Sequence, residues 1–64
     1  MVTINGESKP IAGRNLLDYL KEVGFEPERI VVEQNRLILL KEELGKTILQ
    51  DGDEVEVLCF VGGG

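Results

Sequence analysis

Residues 14–24, Arg14-Asn15-Leu16-Leu17-Asp18-Tyr19-Leu20-Lys21-Glu22-Val23-Gly24, form the one long stretch of this chain with helical spacing of apolar residues. Leu16, Leu20 and Val23 share a face and Leu17 widens the stripe, which predicts a helix of about three turns. Asn15 suits the N-cap, Asp18 places a negative charge in the first turn, and Gly24 suits the left-handed position after the last turn. A chain with a single amphipathic helix must bury that stripe against strands. The rest of the sequence therefore decides the fold.

Val2 and Ile4 alternate with polar residues, Asn5-Gly6 is the favoured pair for a tight type I′ turn, and residues 7–11 return toward Ile11, so a hairpin opens the chain. Pro27 breaks the helical pattern. Ile30-Val31-Val32-Glu33-Gln34 is short and β-branched, Asn35-Arg36 turns the chain, and residues 37–40 read as a short strand. Lys41-Glu42-Glu43-Leu44-Gly45 reads as one helical turn stopped by glycine. Gln50-Asp51-Gly52-Asp53 is a strong turn, and residues 54–61 alternate as the longest strand. The first and last strands cannot form a tight hairpin with each other, so their pairing is parallel and central. The expected architecture is α+β: a ubiquitin-like β-grasp, with a mixed sheet of about five strands and one helix packed across one face. Residues 1–61 form the domain, and residues 62–64 a flexible glycine tail.

Composition removes several classes of function. With 64 residues there is room for one small core and no large enclosed active site. There is no His and only one Cys, which excludes Cys/His zinc centres, His-dependent triads and a disulfide framework. Seven Lys and Arg against twelve Asp and Glu, a net charge of −5, disfavour nucleic acid and favour a basic partner. No apolar run has the length of a membrane span and no leader-like segment opens the chain, so the expected address is the cytoplasm.

Gly62-Gly63-Gly64 follows the last strand with no polar spacer. Glycine-rich ends are commonly disordered tails. A phosphate-binding loop would need a helix immediately after its glycines, and none follows. A glycine run is also the thinnest peptide available, able to reach about 10 Å into a partner's channel. Ordering it costs about 1–2 kcal/mol per residue, which docking elsewhere must offset. If Val55, Val57, Cys59 and Val61 face the helix, then Glu54, Glu56, Leu58 and Phe60 face the uncovered side. Leu58 and Phe60, extended by Val31, are the expected apolar anchor, and Asp51, Asp53, Glu54 and Glu56 the acidic rim. A register one residue off would turn Val57 and Cys59 toward the partner instead. Cys59 is read as a small buried hydrophobe without an activating neighbour. The carboxylates lack the spacing of a calcium loop.

The Asn-Gly hairpin, Asn15-Leu16-Leu17 opening the helix, the run Leu49-Gln50-Asp51-Gly52-Asp53-Glu54-Val55-Glu56-Val57, and the closing Phe60-Val61-Gly62-Gly63-Gly64 together resemble the ThiS family, the sulfur carriers of thiamine thiazole biosynthesis. The resemblance covers essentially the whole chain. Asn35-Arg36 stands where that family often has Asn-Gly. The resemblance implies a protein co-substrate and not an enzyme. A ubiquitin-activating-like adenylyltransferase would join AMP to Gly64, and sulfur from a cysteine desulfurase or another donor would displace it. Thiazole synthase would consume the resulting thiocarboxylate. ATP and magnesium would belong to the activating partner, leaving this chain without a cofactor. The small subunit of molybdopterin synthase and a non-catalytic ubiquitin-like docking module are the alternatives.

Overall fold

The structure is a computed structural model and describes residues 1–60. Val61, expected to face the helix, and Gly62, Gly63 and Gly64, expected to carry the chemistry, lie outside the described residues.

Strands β1 (Val2–Ile4) and β2 (Glu7–Lys9) form the opening hairpin. Asn5 and Gly6 sit at φ 49° and 85°, as a type I′ turn requires. Helix α1 (Leu16–Glu22) is shorter than the spacing predicts. The Asn15 side chain accepts from the Asp18 N–H at 3.0 Å and ends the helix on one side, while Gly24 at φ 101° ends it on the other. Arg14 is left outside the helix, and its guanidinium forms two hydrogen bonds to Glu22, at 3.0 and 2.9 Å. Val23, expected on the buried stripe, lies beyond the last turn and is exposed; Tyr19 is buried with Leu16 and Leu20 instead.

A 3₁₀ turn (Pro27–Arg29) leads into β3 (Ile30–Gln34), which pairs with β4 (Leu37–Leu39). Asn35 and Arg36 both adopt positive φ, 52° and 72°, so this turn takes the hairpin geometry without a glycine. A single helical turn, α2 (Lys41–Leu44), anchors Leu44 in the core, and β5 (Glu54–Cys59) closes the fold.

The sheet order is β2-β1-β5-β3-β4, with β5 central, parallel to β1 and antiparallel to β3. This is the β-grasp topology. Val2, Ile4, Val32, Val55 and Val57 point to one face and pack with Leu16, Leu20, Leu44 and Leu49 into a single core. Among the described residues no helix packs on the other face of the sheet, where Glu54, Glu56 and Leu58 are exposed. No helix among the described residues is long and apolar enough to cross a membrane.

The two turn asparagines hold the start of β5 from both sides. On the β1 side the Asn5 N–H donates to Val55 O at 2.9 Å and the Val57 N–H donates to Asn5 Oδ1 at 2.7 Å. On the β3 side the Asn35 N–H donates to Glu54 O at 2.7 Å and the Glu54 N–H donates to Asn35 Oδ1 at 2.9 Å. Each side-chain amide thus continues a ladder past the end of its own strand.

Candidate functional site

Alternation along β5 sends Val55 and Val57 into the core and Glu54, Glu56 and Leu58 to the open face. The ladder with β3 then sets the neighbours of each. Leu58 stands opposite Val31, and Glu56 opposite Glu33. One step further, Glu33 stands opposite Ile38 of β4, and the same register places Leu40 beside Val31. Phe60 continues the ladder, its N–H donating to Arg29 O at 2.8 Å. The open face therefore has an apolar end, built from Leu58, Val31 and Leu40 with Phe60 just beyond it in the chain, and an acidic end built from Glu54, Glu56 and Glu33. Leu58 and Phe60 are 55% and 60% exposed, so their burial is not what holds the fold.

Sequence reasoning named Leu58, Phe60, Val31, Glu54 and Glu56; the structure brings Leu58, Val31, Glu54 and Glu56 onto one surface, whereas exposed Phe60 lies just past β5 and borders a depression with Phe25, Ile30 and Cys59. Sequence reasoning missed Glu33, Ile38 and Leu40. Glu33 was legible, because a buried Val32 forces its neighbour outward. Ile38 was not, because the uninterrupted apolar run of residues 37–40 has no alternation to assign its faces. Glu33, Glu54 and Glu56 border a depression of about 350 Å³ together with Thr3 and Arg36. Among the described residues none of these three carboxylates forms an ion pair.

Two of the expected rim residues serve elsewhere. Asp53 is buried, because its position continues the inward series of Val55 and Val57. Burial opposes its charge, but hydrogen bonds from Asn35 Nδ2 (3.0 Å), the Gln50 N–H (2.8 Å) and Gln34 Nε2 (2.9 Å) outweigh that and hold its carboxyl below the usual aspartate range. It clamps the turn before β5 and is no part of a rim. Asp51 is exposed, but it pairs with the amino group of Met1.

Cys59 overturns the expectation of a buried thiol. It lies on the helix side of the sheet opposite Ile30, yet it is exposed, because α1 ends at Glu22 and does not cover this end of the sheet. It borders a shallow depression of about 220 Å³ with Phe25, Arg29, Ile30 and Phe60, just before the chain enters the glycine segment. Among the described residues no group of three or more Cys, Asp or Glu is placed to hold a metal ion.

The chain is similar along its whole length to known proteins. The model of the ThiS family matches residues 2–64. The Sulfur carrier protein ThiS of Thermus thermophilus is 39% identical over 64 residues, with all of both chains covered. A thiazole synthase of Magnetococcus marinus is 38% identical over 64 aligned positions that cover 98% of this chain and 20% of that protein, so the chain spans only a fifth of this larger relative. Among solved structures, the crystal structure of the thiamine biosynthesis protein (ThiS) from Geobacter metallireducens superposes with a TM-score of 0.74 at 33% identity, covering 98% of this chain and 97% of that one. Sequence, length and topology agree, and the chain belongs to the ThiS family.

Proposed function

We propose that this ThiS-family chain is a sulfur carrier of thiamine biosynthesis, acting as a co-substrate whose reactive group is the carboxyl of Gly64. A carboxylate is a poor electrophile. An ATP-dependent, ubiquitin-activating-like adenylyltransferase converts it to an acyl adenylate, with pyrophosphate leaving. A persulfide from a cysteine desulfurase or another donor attacks the carbonyl carbon and AMP leaves, giving an acyl disulfide, whose S–S bond a thiol reductant then cleaves by two electrons to release the thiocarboxylate for thiazole synthase. ATP and magnesium are bound by the activating partner, and this chain supplies the acyl group. The occurrence of a ThiS-like segment within a relative named thiazole synthase supports the pairing of carrier and consumer. The reactions take place in the cytoplasm.

The observation that carries this reading is the placement of an exposed apolar end, Leu58 and Phe60, immediately before the glycine segment. Ordering three glycines costs about 3–6 kcal/mol, and docking of this surface supplies the offset. Incubation with the activating enzyme, ATP, magnesium and a sulfur donor tests it by intact mass. One oxygen of Gly64 is replaced by sulfur in the intact chain, whereas deletion of Gly64 or addition of an alanine after it abolishes adenylation. Adenylation of the extended chain at the wild-type rate would reject Gly64 as the reactive residue.

A further inference from the structure

The sheet has two edges of opposite character. β2 is polar, with Glu7, Ser8 and Lys9 followed by Pro10, a composition that blocks further strand pairing. β4 is Leu37-Ile38-Leu39 with Leu40 after it; Leu37, Ile38 and Leu40 are 71%, 66% and 61% exposed, and no charge interrupts the run. An uncharged, apolar, unpaired edge is a template for another strand.

The charges that flank β4 identify which strand fits. Arg36 precedes it and forms no ion pair among the described residues. Lys41, Glu42 and Glu43 follow it; Lys41 pairs with Glu28 of its own chain, and Glu42 is unpaired among the described residues. An apolar strand with a cation at one end and carboxylates at the other is complementary to itself when reversed, which is the condition for a two-fold interface. Antiparallel pairing about Ile38 sets Ile38 against Ile38 and Leu37 against Leu39. Arg36 of each copy then comes opposite Leu40 of the other, beside the turn that bears Glu42 and Glu43. Lys41 comes opposite Asn35 of the other copy in this register, and its charge is already met by Glu28 of its own chain. The nearest acidic residue of the open face, Glu33, is one strand in from the edge. The two copies of Glu33 are then about 14 Å apart across three strand spacings, beyond the screening length of about 8 Å at physiological salt.

We propose that β4 pairs with β4 of a second copy, antiparallel and centred on Ile38, joining two five-stranded sheets into one. A three-residue edge makes a small interface, so the dimer forms in the range of roughly 0.1–1 mM and dissociates readily below it.

Sedimentation of the full chain over that range tests the proposal. The wild type shifts from monomer to dimer as concentration rises. Ile38→Lys, at a position two-thirds exposed in the monomer, leaves the circular dichroism and melting temperature unchanged and weakens dimerisation at least tenfold. Arg36→Glu also weakens it, and adding Glu42→Arg restores it. A chain that stays monomeric throughout, a dimer insensitive to Ile38→Lys, or a charge swap that fails to restore association would each overturn the proposal. So would loss of adenylyltransferase binding on Ile38→Lys in a chain that never dimerises, since the strand received would then be the partner's.

Discussion

Glu33 and Glu56 stand directly opposite each other on adjacent central strands, both on the open face and neither in an ion pair among the described residues. Like charges at opposed positions of an antiparallel pair are destabilising, so the isolated domain holds this arrangement at a cost. A cationic partner surface would remove that cost on docking. Glu56→Gln, which keeps the shape and removes the charge, is expected to stabilise the free domain by about 0.2–0.5 kcal/mol while slowing association with the activating enzyme several-fold at low salt. Thermal melts beside stopped-flow association at two ionic strengths check both halves.

Phe60 is the strongest candidate for the binding anchor. Because its ring is 60% exposed and its ladder contact is made by the main chain, Phe60→Ala is expected to cost less than about 0.5 kcal/mol of folding stability. Its effect on the affinity for the activating enzyme is expected to be at least about 2 kcal/mol, the size of a hot-spot contribution. Calorimetry of binding and denaturation of the same variant separates the two quantities. A large stability loss with unchanged binding would place Phe60 in the core and reject the anchor.

Asp53 makes stability depend on acid. Its folded-state pKa lies below the ordinary value, so the ionised form favours the native state. Its contribution is complete above the unfolded-state value of about 3.9 and is lost as the pH falls through the lower folded-state value. Asp53→Asn sets an amide NH₂ against one or two of the three donors, whichever oxygen it replaces, and is expected to cost about 2 kcal/mol at pH 7. The gap between variant and wild type should narrow on acidification below about pH 4. Denaturant titrations from pH 7 down to pH 2 measure that gap.

Cys59 is accessible in the native state, so a maleimide is expected to label the folded chain at a rate close to that of the unfolded chain. Cys59→Ala leaves no cavity and should change stability by less than about 0.5 kcal/mol, with sulfur transfer preserved. Abolished transfer in a folded Cys59→Ala chain would assign the thiol a covalent role.

Elements whose local chemistry is self-sufficient were legible in the sequence. Asn5-Gly6 defines its own turn, and β3 was readable from its β-branched run because no competing pattern overlaps it. The strand parity of β5 placed Val55, Val57 and Leu58 on the correct faces. The same parity applied one step earlier would have put Asp53 inside, but a carboxylate beside a turn reads as solvated unless its donors are known. Those donors, Gln34, Asn35 and Gln50, come from two separate segments that only the fold brings together. Cys59 shows the complementary limit. Parity gives the face of a residue, whereas burial depends on how far α1 extends over that face, and Asn15 and Gly24 make α1 shorter than its apolar spacing implies.

The asparagine clamps on β5 also determine how the domain bears a load. Tension applied at Phe60, as when a partner draws the glycine segment taut, acts along the axis of β5, while the ladder bonds on either side run across that axis. Because β1 runs parallel to β5, Met1 and Phe60 lie at opposite ends of the paired strands, and the bonds between them are strained together in shear instead of being peeled one at a time. The amide of Asn35 adds a bond at Glu54, the end of β5 farthest from the pull, and that of Asn5 adds two at Val57, extending the β1 ladder toward the pulled end. Stretched between residues 1 and 60, the chain is expected to yield in a single high-force step, and Asn5→Ala to lower that force.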